Sequence, residues 1–291
     1  MTKPTVAIVA IAKNEHEYIR EWIDAHTKLG VSKFYIYDNG SSPPLADVLE
    51  NASSTPAYHV IPFPGQGMQR LAYTHFITTV MPNAPEEWFA FIDCDEFICP
   101  AKHATIPDFL DDYGHLGSIG LQWRMFGCNG HVTPPASGGV IANYTTSTVN
   151  KHVKTLAHRS RLTAPAVCIH NVSNTCRDLE GHLLNGPFYN GDMTDTIRLN
   201  HYFTKSWTEF LQKIDRGRAD KIDTRTVSKH IDDLCGFDAV PDTVLADTLD
   251  IGVTDVHKHP RNLTHELESI RELLGNHPAL PEITNAFQDA R

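Results

Sequence analysis

The sequence lacks the short motifs that mark several large enzyme classes. Its six cysteines, at 94, 99, 128, 168, 176 and 235, form no Cys-x-x-Cys pair, so neither a zinc ribbon nor a thioredoxin-like motif is present. Scattered thiols of this kind read as reduced cysteines in a cytoplasmic protein. The 17 histidines include no His-Glu-x-x-His. No Gly-x-Gly-x-x-Gly follows the first apolar run, which argues against a dinucleotide dehydrogenase, and there is no Gly-x-x-x-x-Gly-Lys phosphate loop. Positive charge is scarce: the net charge is -10 and the pI about 5.9, a balance that disfavours nucleic acid as a partner. Long apolar runs are missing too. Val6–Ala12, at the N-terminus, has too few residues to span a bilayer and is followed by a charged segment instead of a cleavage site. It reads as a buried strand, and any membrane association would be peripheral.

What is present is an ordinary globular composition over 291 residues, 41% hydrophobic and 21% charged, enough for one α/β domain with an appendage. The apolar run Val6–Ala12 predicts a central parallel strand covered on both faces. Asn14 with Glu17 three residues on predicts a helix start, and Tyr18, Ile19, Trp22, Ile23 and Leu29 recur at helical spacing up to Gly30. Phe34–Tyr37 predicts a second strand, closed by the turn-rich Asp38–Pro44. A β-α-β opening of this kind signals a doubly wound sheet. A short helix near 46–49, a strand at 58–61, a helix at 66–80 and a strand at Trp88–Ile92 follow. Beyond residue 115 a strand is expected at 119–123 and short β pieces over 151–169. Residues 170–195 read as a polar loop. Ser206 and Glu209 form a second capping box opening a helix to about Ala219, and an amphipathic helix is expected at 264–274.

Five constellations carry chemistry. Asp93-Cys94-Asp95-Glu96-Phe97 ends an apolar strand, where open α/β sheets bind ligands. Carboxylates this close repel unless a cation is present, and oxygen ligands suit Mg2+ or Mn2+. In isolation the pattern fits an acidic strand end equally well. Asp38, at the end of the second strand, fits either a contact to ribose or base or a turn-forming Asp-Asn-Gly. His201 is a candidate metal ligand, and Lys205, Lys213, Arg216 and Arg218 are candidate phosphate contacts, against the alternative of a core histidine and a solvated helix face. His152, Lys154, His158 and His170 suit a sugar- or phosphate-binding loop better than a zinc site. Asp178, Glu180, Asp192 and Asp195 are candidate general bases or plain loop acids.

Four segments occur in a familiar order: Lys13–Trp22 with His26 and Gly30, Tyr37–Ser41, Trp88 through Phe97, and Asn200-His-Tyr with Lys205, Glu209, Lys213 and Arg216. Over residues 5–220 the chain resembles the glycosyltransferase family 2-like group that overlaps family 92, which includes β-galactosyltransferases and many bacterial sugar transferases. The resemblance implies a GT-A fold: a Rossmann-like, mostly parallel α/β sheet flanked by helices, with a C-terminal helical and loop extension. Residues 1–220 would form the catalytic domain, with a nucleotide-sugar half (1–115) and an acceptor half (116–220), and residues 221–291 an extension packed on it. It further implies a UDP-sugar or similar donor, Mn2+ or Mg2+, and inversion at the anomeric carbon. Asn14 and Glu15 would line the nucleotide pocket, Asp38 would contact base or ribose, and Gln69 and Arg70 would add donor contacts. Asp93 and Asp95 would meet ribose and metal, His201 would complete the metal site, and Lys205 would face the diphosphate. Trp123–Gly127 with Gly130-His131 resembles the acceptor-side loop. One of Asp178, Glu180 and Asp192 would be the base. The acceptor would be a hydroxyl of a glycan, a lipid-linked sugar or another glycoconjugate. Two rivals remain at this point: a nucleotidyltransferase acting on a sugar phosphate, and a non-catalytic carbohydrate-binding module on the same fold.

Overall fold

The structure is a computed structural model that describes residues 2–50, 57–216, 237, 239–254, 263–275 and 280–289. These residues gather in two units: residues 2–124 with 149–201, and residues 125–148 with 202–216 and the described residues beyond 236.

The first unit is built on β1 (Val6–Ala12), whose seven side chains are all buried. It pairs in parallel with β2 (Val31–Asp38) on one side and β4 (Trp88–Phe91) on the other, and β2 pairs in parallel with β3 (Ala57–Pro62). A strand flanked on both edges and covered on both faces has no use for polar side chains, which explains the unbroken apolar run. Helix α1 (Ile19–Lys28) buries Ile19, Trp22, Ile23 and His26, the spacing of one helical face. Its cap is Tyr18, four residues later than the sequence predicts. Asn14 does not cap it: Asn14 has a left-handed backbone (φ 55°), and its Oδ1 accepts the Ser42 amide. The helix ends at Gly30, where φ is +92° and a Cβ would lie 2.8 Å from Pro107 Cδ, so a side chain is excluded twice over.

Helix α2 (Leu45–Glu50) follows the Asp38 turn, and α3 (Gln69–His75) continues into a π-helical turn over Phe76–Val80. Tyr73 and Phe76 from this stretch pack with Val9, Tyr37 and Phe91 of the sheet in one buried cluster. Burying each such side chain contributes roughly 1.5–3 kcal/mol. Beyond β4 the pairing turns antiparallel. The 13-residue β7 (Thr146–His158) pairs with β4, and β5 (Glu96–Cys99) pairs with β8 (Arg198–His201). With β6 (Ser118–Phe126), the strand order is β3-β2-β1-β4-β7-β6-β8-β5. Helix α4 (Ile106–Tyr113) lies between β5 and β6 in sequence. The result is the mixed α/β, Rossmann-like sheet flanked by helices that the sequence predicts.

Two expectations change. Residues 151–158 are not short separate pieces but the end of β7. Residues 170–195 are not a purely polar loop: Val172, Cys176, Leu184 and Met193 are buried, and isolated bridges fix Arg177 to Ile119 and Phe188 to His152.

In the second unit, α5 (Gly139–Asn143) is short, and α6 (Trp207–Arg216) opens on the expected capping box. The Ser206 amide donates to Glu209 Oε2 at 3.0 Å and the Glu209 amide to Ser206 Oγ at 3.4 Å. Trp207, Phe210 and Leu211 of this helix pack with Leu267 and Ile270 of α8 (Leu263–Leu274) and Ile283 of α9 (Leu280–Asp289). A two-residue β9 (Val240–Pro241) pairs with the start of β7, and α7 (Val244–Leu249) follows it. Arg218 lies outside the described residues. No helix among those described is long and apolar enough to cross a membrane.

Candidate functional site

The acidic segment is a tight turn between β4 and β5. The Asp93 amide donates to Glu96 Oε2 at 2.8 Å, and the Glu96 amide donates to Asp93 O at 3.1 Å. The antiparallel β5–β8 register then sets Glu96 opposite His201, 105 positions later in the chain. His201 Nε2 lies 3.5 Å from Asp95 Oδ2, and Nδ1 lies 3.9 Å from Glu96 Oε1. Asp95, Glu96 and His201 are all buried. The structure therefore joins Asp95 and His201, as the sequence predicts, and adds Glu96 at the other ring nitrogen.

Helix α1 fastens this turn from below. Trp22 Nε1 donates to Glu96 O at 2.7 Å, and the Ile98 amide donates to His26 Nε2 at 3.0 Å. His26 Nδ1 faces Trp22 O at 2.8 Å. A ring nitrogen that accepts from an amide carries no proton, so the Nδ1 atom does, and His26 is neutral. Burial lowers its pKa to about 4.

The counter-charge comes from Lys154 on β7. Its ammonium is fully buried, 2.8 Å from Asp93 Oδ2 and 3.7 Å from Glu96 Oε2. Burial alone would lower its pKa, but the two carboxylates more than reverse that and hold it charged. Glu96 is pushed well above the usual carboxylate range by burial, against the pull of Lys154 and with the repulsion of Asp93 and Asp95. The shorter contact identifies Asp93 as the main partner of Lys154. Gln69 Nε2 adds a hydrogen bond to Asp93 Oδ1 at 2.5 Å and one to Tyr73 Oη at 3.1 Å. Gln69 thus reaches the acidic turn as predicted, whereas its neighbour Arg70 is exposed. Reading the sequence alone put Lys154 in a ligand-binding loop; its role as the buried cation of the acidic turn follows from the β4–β7 pairing, which sets Phe91 beside Thr155.

Asp38 uses both carboxylate oxygens on its own turn: Oδ1 accepts the Ser41 amide at 2.8 Å and Oδ2 the Leu45 amide at 2.9 Å, at the start of α2. Asn14 ties the β1–α1 connection to the same turn through Ser41 and Ser42. Glu15 is half-buried beside it, and its carbonyl accepts the Ile19 amide. The three base candidates lie apart in the 170–195 segment. Buried Asp178 accepts the amides of Glu180 and His182, exposed Asp192 accepts the Thr194 amide, and Glu180 is exposed. Asp195 is exposed. Lys205 belongs to the second unit and has a left-handed backbone, φ 52°. In that unit Lys213 donates to Phe203 O at 3.0 Å and sits over the Phe203 ring.

A run of aromatic rings leads away from His201. Trp123 packs against His201 with ring centroids 4.4 Å apart, and His152 stacks on Trp123 at 4.7 Å. His170 sits 5.3 Å from Trp123 and is held neutral, its pKa lowered to about 3 by burial and by the nearby Lys154 and His152.

The donor set has a definite chemistry. Among the described residues, no three His, Cys, Asp or Glu side chains are spaced to hold a metal ion on their own. Asp95 and His201 offer one oxygen and one nitrogen ligand, and the buried Glu96 Oε1 beside them has no hydrogen-bond partner. Mg2+ and Mn2+ are commonly held by one or two protein ligands with phosphates and water completing the shell. The residues fit a cation that arrives with a diphosphate.

The sequence model of glycosyltransferase family 92 matches residues 5–230. The chain belongs to this family. Family 92 proteins from Oryza sativa subsp. japonica and Arabidopsis thaliana are each 26% identical to it, over 214 and 230 residues, covering 72% and 74% of this chain. One from Ricinus communis is 23% identical over 219 residues, covering 72%. The aligned region takes up 35%, 38% and 37% of these three relatives, so the chain spans little more than a third of their length. The family 92 match contains the acidic turn, Lys154, His201 and the whole parallel half of the sheet.

Proposed function

We propose that this family 92 chain is a metal-dependent, inverting glycosyltransferase that moves a sugar from a nucleotide diphosphate donor, a UDP-sugar, to a hydroxyl of a glycan or glycoconjugate. The observation that carries the reading is the β5–β8 register, which brings His201 to Asp95 and Glu96 at the end of the parallel strands. Asp95 and His201 would hold Mg2+ or Mn2+, which when bound neutralises charge on the departing diphosphate. Asp93, clamped by Lys154 and Gln69, keeps the turn in one conformation so that the donor meets a preorganised site. The acceptor hydroxyl attacks the anomeric carbon from the face opposite the diphosphate. A carboxylate, one of Asp178, Glu180 and Asp192, takes the hydroxyl proton as the bond to the diphosphate oxygen breaks.

A donor screen by thermal shift tests the reading. UDP and UDP-sugars should raise the melting temperature in the presence of Mn2+ and much less without it. If no nucleotide diphosphate or nucleotide sugar stabilised the protein under either condition, the reading would fail.

A further inference from the structure

Lys154 is the least expected charge in the first unit. It lies on β7 beside the end of β4, and its side chain is fully buried. A lysine persists in such a place only where partners hold its charge. Its ammonium donates to Asp93 Oδ2 at 2.8 Å, while Glu96 Oε2 stands 3.7 Å away and already accepts the Asp93 amide at 2.8 Å. Asp93 is held from its other side as well, because Gln69 Nε2 donates to Oδ1 at 2.5 Å. Gln69 is itself buried, and the same Nε2 reaches Tyr73 Oη at 3.1 Å. Both oxygens of Asp93 therefore face donors fixed in the core.

A divalent ion would compete with Lys154 for Asp93. Mg2+ binds carboxylate oxygen at about 2.1 Å, so an ion sharing Oδ2 would stand within about 5 Å of the ammonium. Like charges that close, one of them shut away from water, repel strongly. An Asp93 that turned from Lys154 to the ion would instead strip a buried ammonium of its nearest partner, which is costly. Asp95 meets a different neighbour, His201, with Oδ2 3.5 Å from Nε2. A neutral imidazole joins a carboxylate as a second metal ligand, where an ammonium opposes the metal.

We propose that Lys154 withdraws Asp93 from the metal, so that the acidic pair divides into one metal ligand, Asp95, and one internal ion pair, Asp93–Lys154. Lys154 is a positioning residue that acts through Asp93 and takes no part in bond making. The resemblance to nucleotide-sugar transferases would give Asp93 and Asp95 a shared task at ribose and metal; the geometry points to separate ones. This rests on the metal-dependent donor reading of the same site.

Two variants test the division, each first checked for a native circular dichroism spectrum. Lys154→Met with Asp93→Asn removes both charges of the pair and keeps the side chains close to their original size. It should bind UDP within about fivefold of the wild type and keep the dependence on Mn2+. Lys154→Met alone releases Asp93, so electron paramagnetic resonance without nucleotide should show Mn2+ held roughly tenfold or more tighter than by the wild type. A crystal structure of the wild type with Mn2+ and UDP decides the matter whatever the stability of the variants: Asp95 should bind the ion, and Asp93 should remain on Lys154. Loss of Mn2+-dependent UDP binding in the folded double variant, unchanged affinity for free Mn2+ in Lys154→Met, or Asp93 bound to Mn2+ in the crystal would overturn the proposal. If the wild type bound no UDP with Mn2+, the donor reading would fail instead, and the free Mn2+ comparison would still decide the role of Lys154.

Discussion

Two acidic turns close β2 and β4, the parallel strands on either side of β1, and they are built in opposite ways. At the end of β2, Asp38 satisfies both oxygens with amides of its own loop and needs no cation. At the end of β4, Asp93 and Glu96 face a fully buried Lys154, and Glu96 Oε1 has no hydrogen-bond partner among the described residues. The first arrangement spends its charge on shaping the chain. The second concentrates charge that the loop cannot satisfy, and buried polar atoms left unmatched mark a place where something else completes the set. An Asp at a strand end is therefore not informative by itself; what matters is where its oxygens go.

The largest expected effect is at Lys154. Lys154→Met removes the buried cation and leaves buried Glu96 and part-exposed Asp93 without their counter-charge, a loss on the order of 3 kcal/mol. Urea unfolding should show that loss, and a second substitution, Asp93→Asn, should recover part of it. If Lys154→Met were as stable as the wild type, the buried charge cluster described here would not exist.

Acid offers the next test, because His26 fastens the β4 turn and not the β2 turn. Its folded pKa of about 4 lies below the ordinary histidine value of 6.5. The unfolded chain therefore binds the extra proton first. The stabilisation is complete above pH 6.5 and is lost as the pH falls towards 4, on the order of 3 kcal/mol in all. Glu96, raised by burial, works in the opposite sense, so the comparison is with His26→Gln, which should lose the His26 part of the slope and keep the rest. Identical slopes in the two proteins would contradict the assignment.

The sequence made much of this architecture legible. The β1 run was readable to the residue, because a strand buried on both faces leaves an unbroken apolar signature. The acidic turn and His201 were readable as residues, and their meeting followed once β5 and β8 paired. Lys154 was not, because nothing local links it to a motif 61 positions earlier; its polar neighbours Asn150, Lys151 and His152 make β7 read as short β pieces. The start of α1 was missed for a similar reason. Asn14 has the residue type of a cap, yet its side chain is captured by Ser42, 28 positions away.

A smaller effect is expected at the β2 turn. Asp38→Ala removes two side-chain acceptors from backbone amides, a loss of about 1–2 kcal/mol. A calorimetric melt should register it. The milder Asp38→Asn, which keeps one acceptor oxygen, should leave nucleotide affinity within about threefold.

The most direct measurement is therefore the Mn2+-dependent affinity for UDP in three proteins: wild type, Asp95→Asn and Asp38→Asn. The β4 turn, with Asp95 and His201, is the predicted donor site. Wild type and Asp38→Asn should bind UDP in the presence of Mn2+, and Asp95→Asn should lose that dependence. Undiminished, Mn2+-dependent binding by Asp95→Asn would contradict the account.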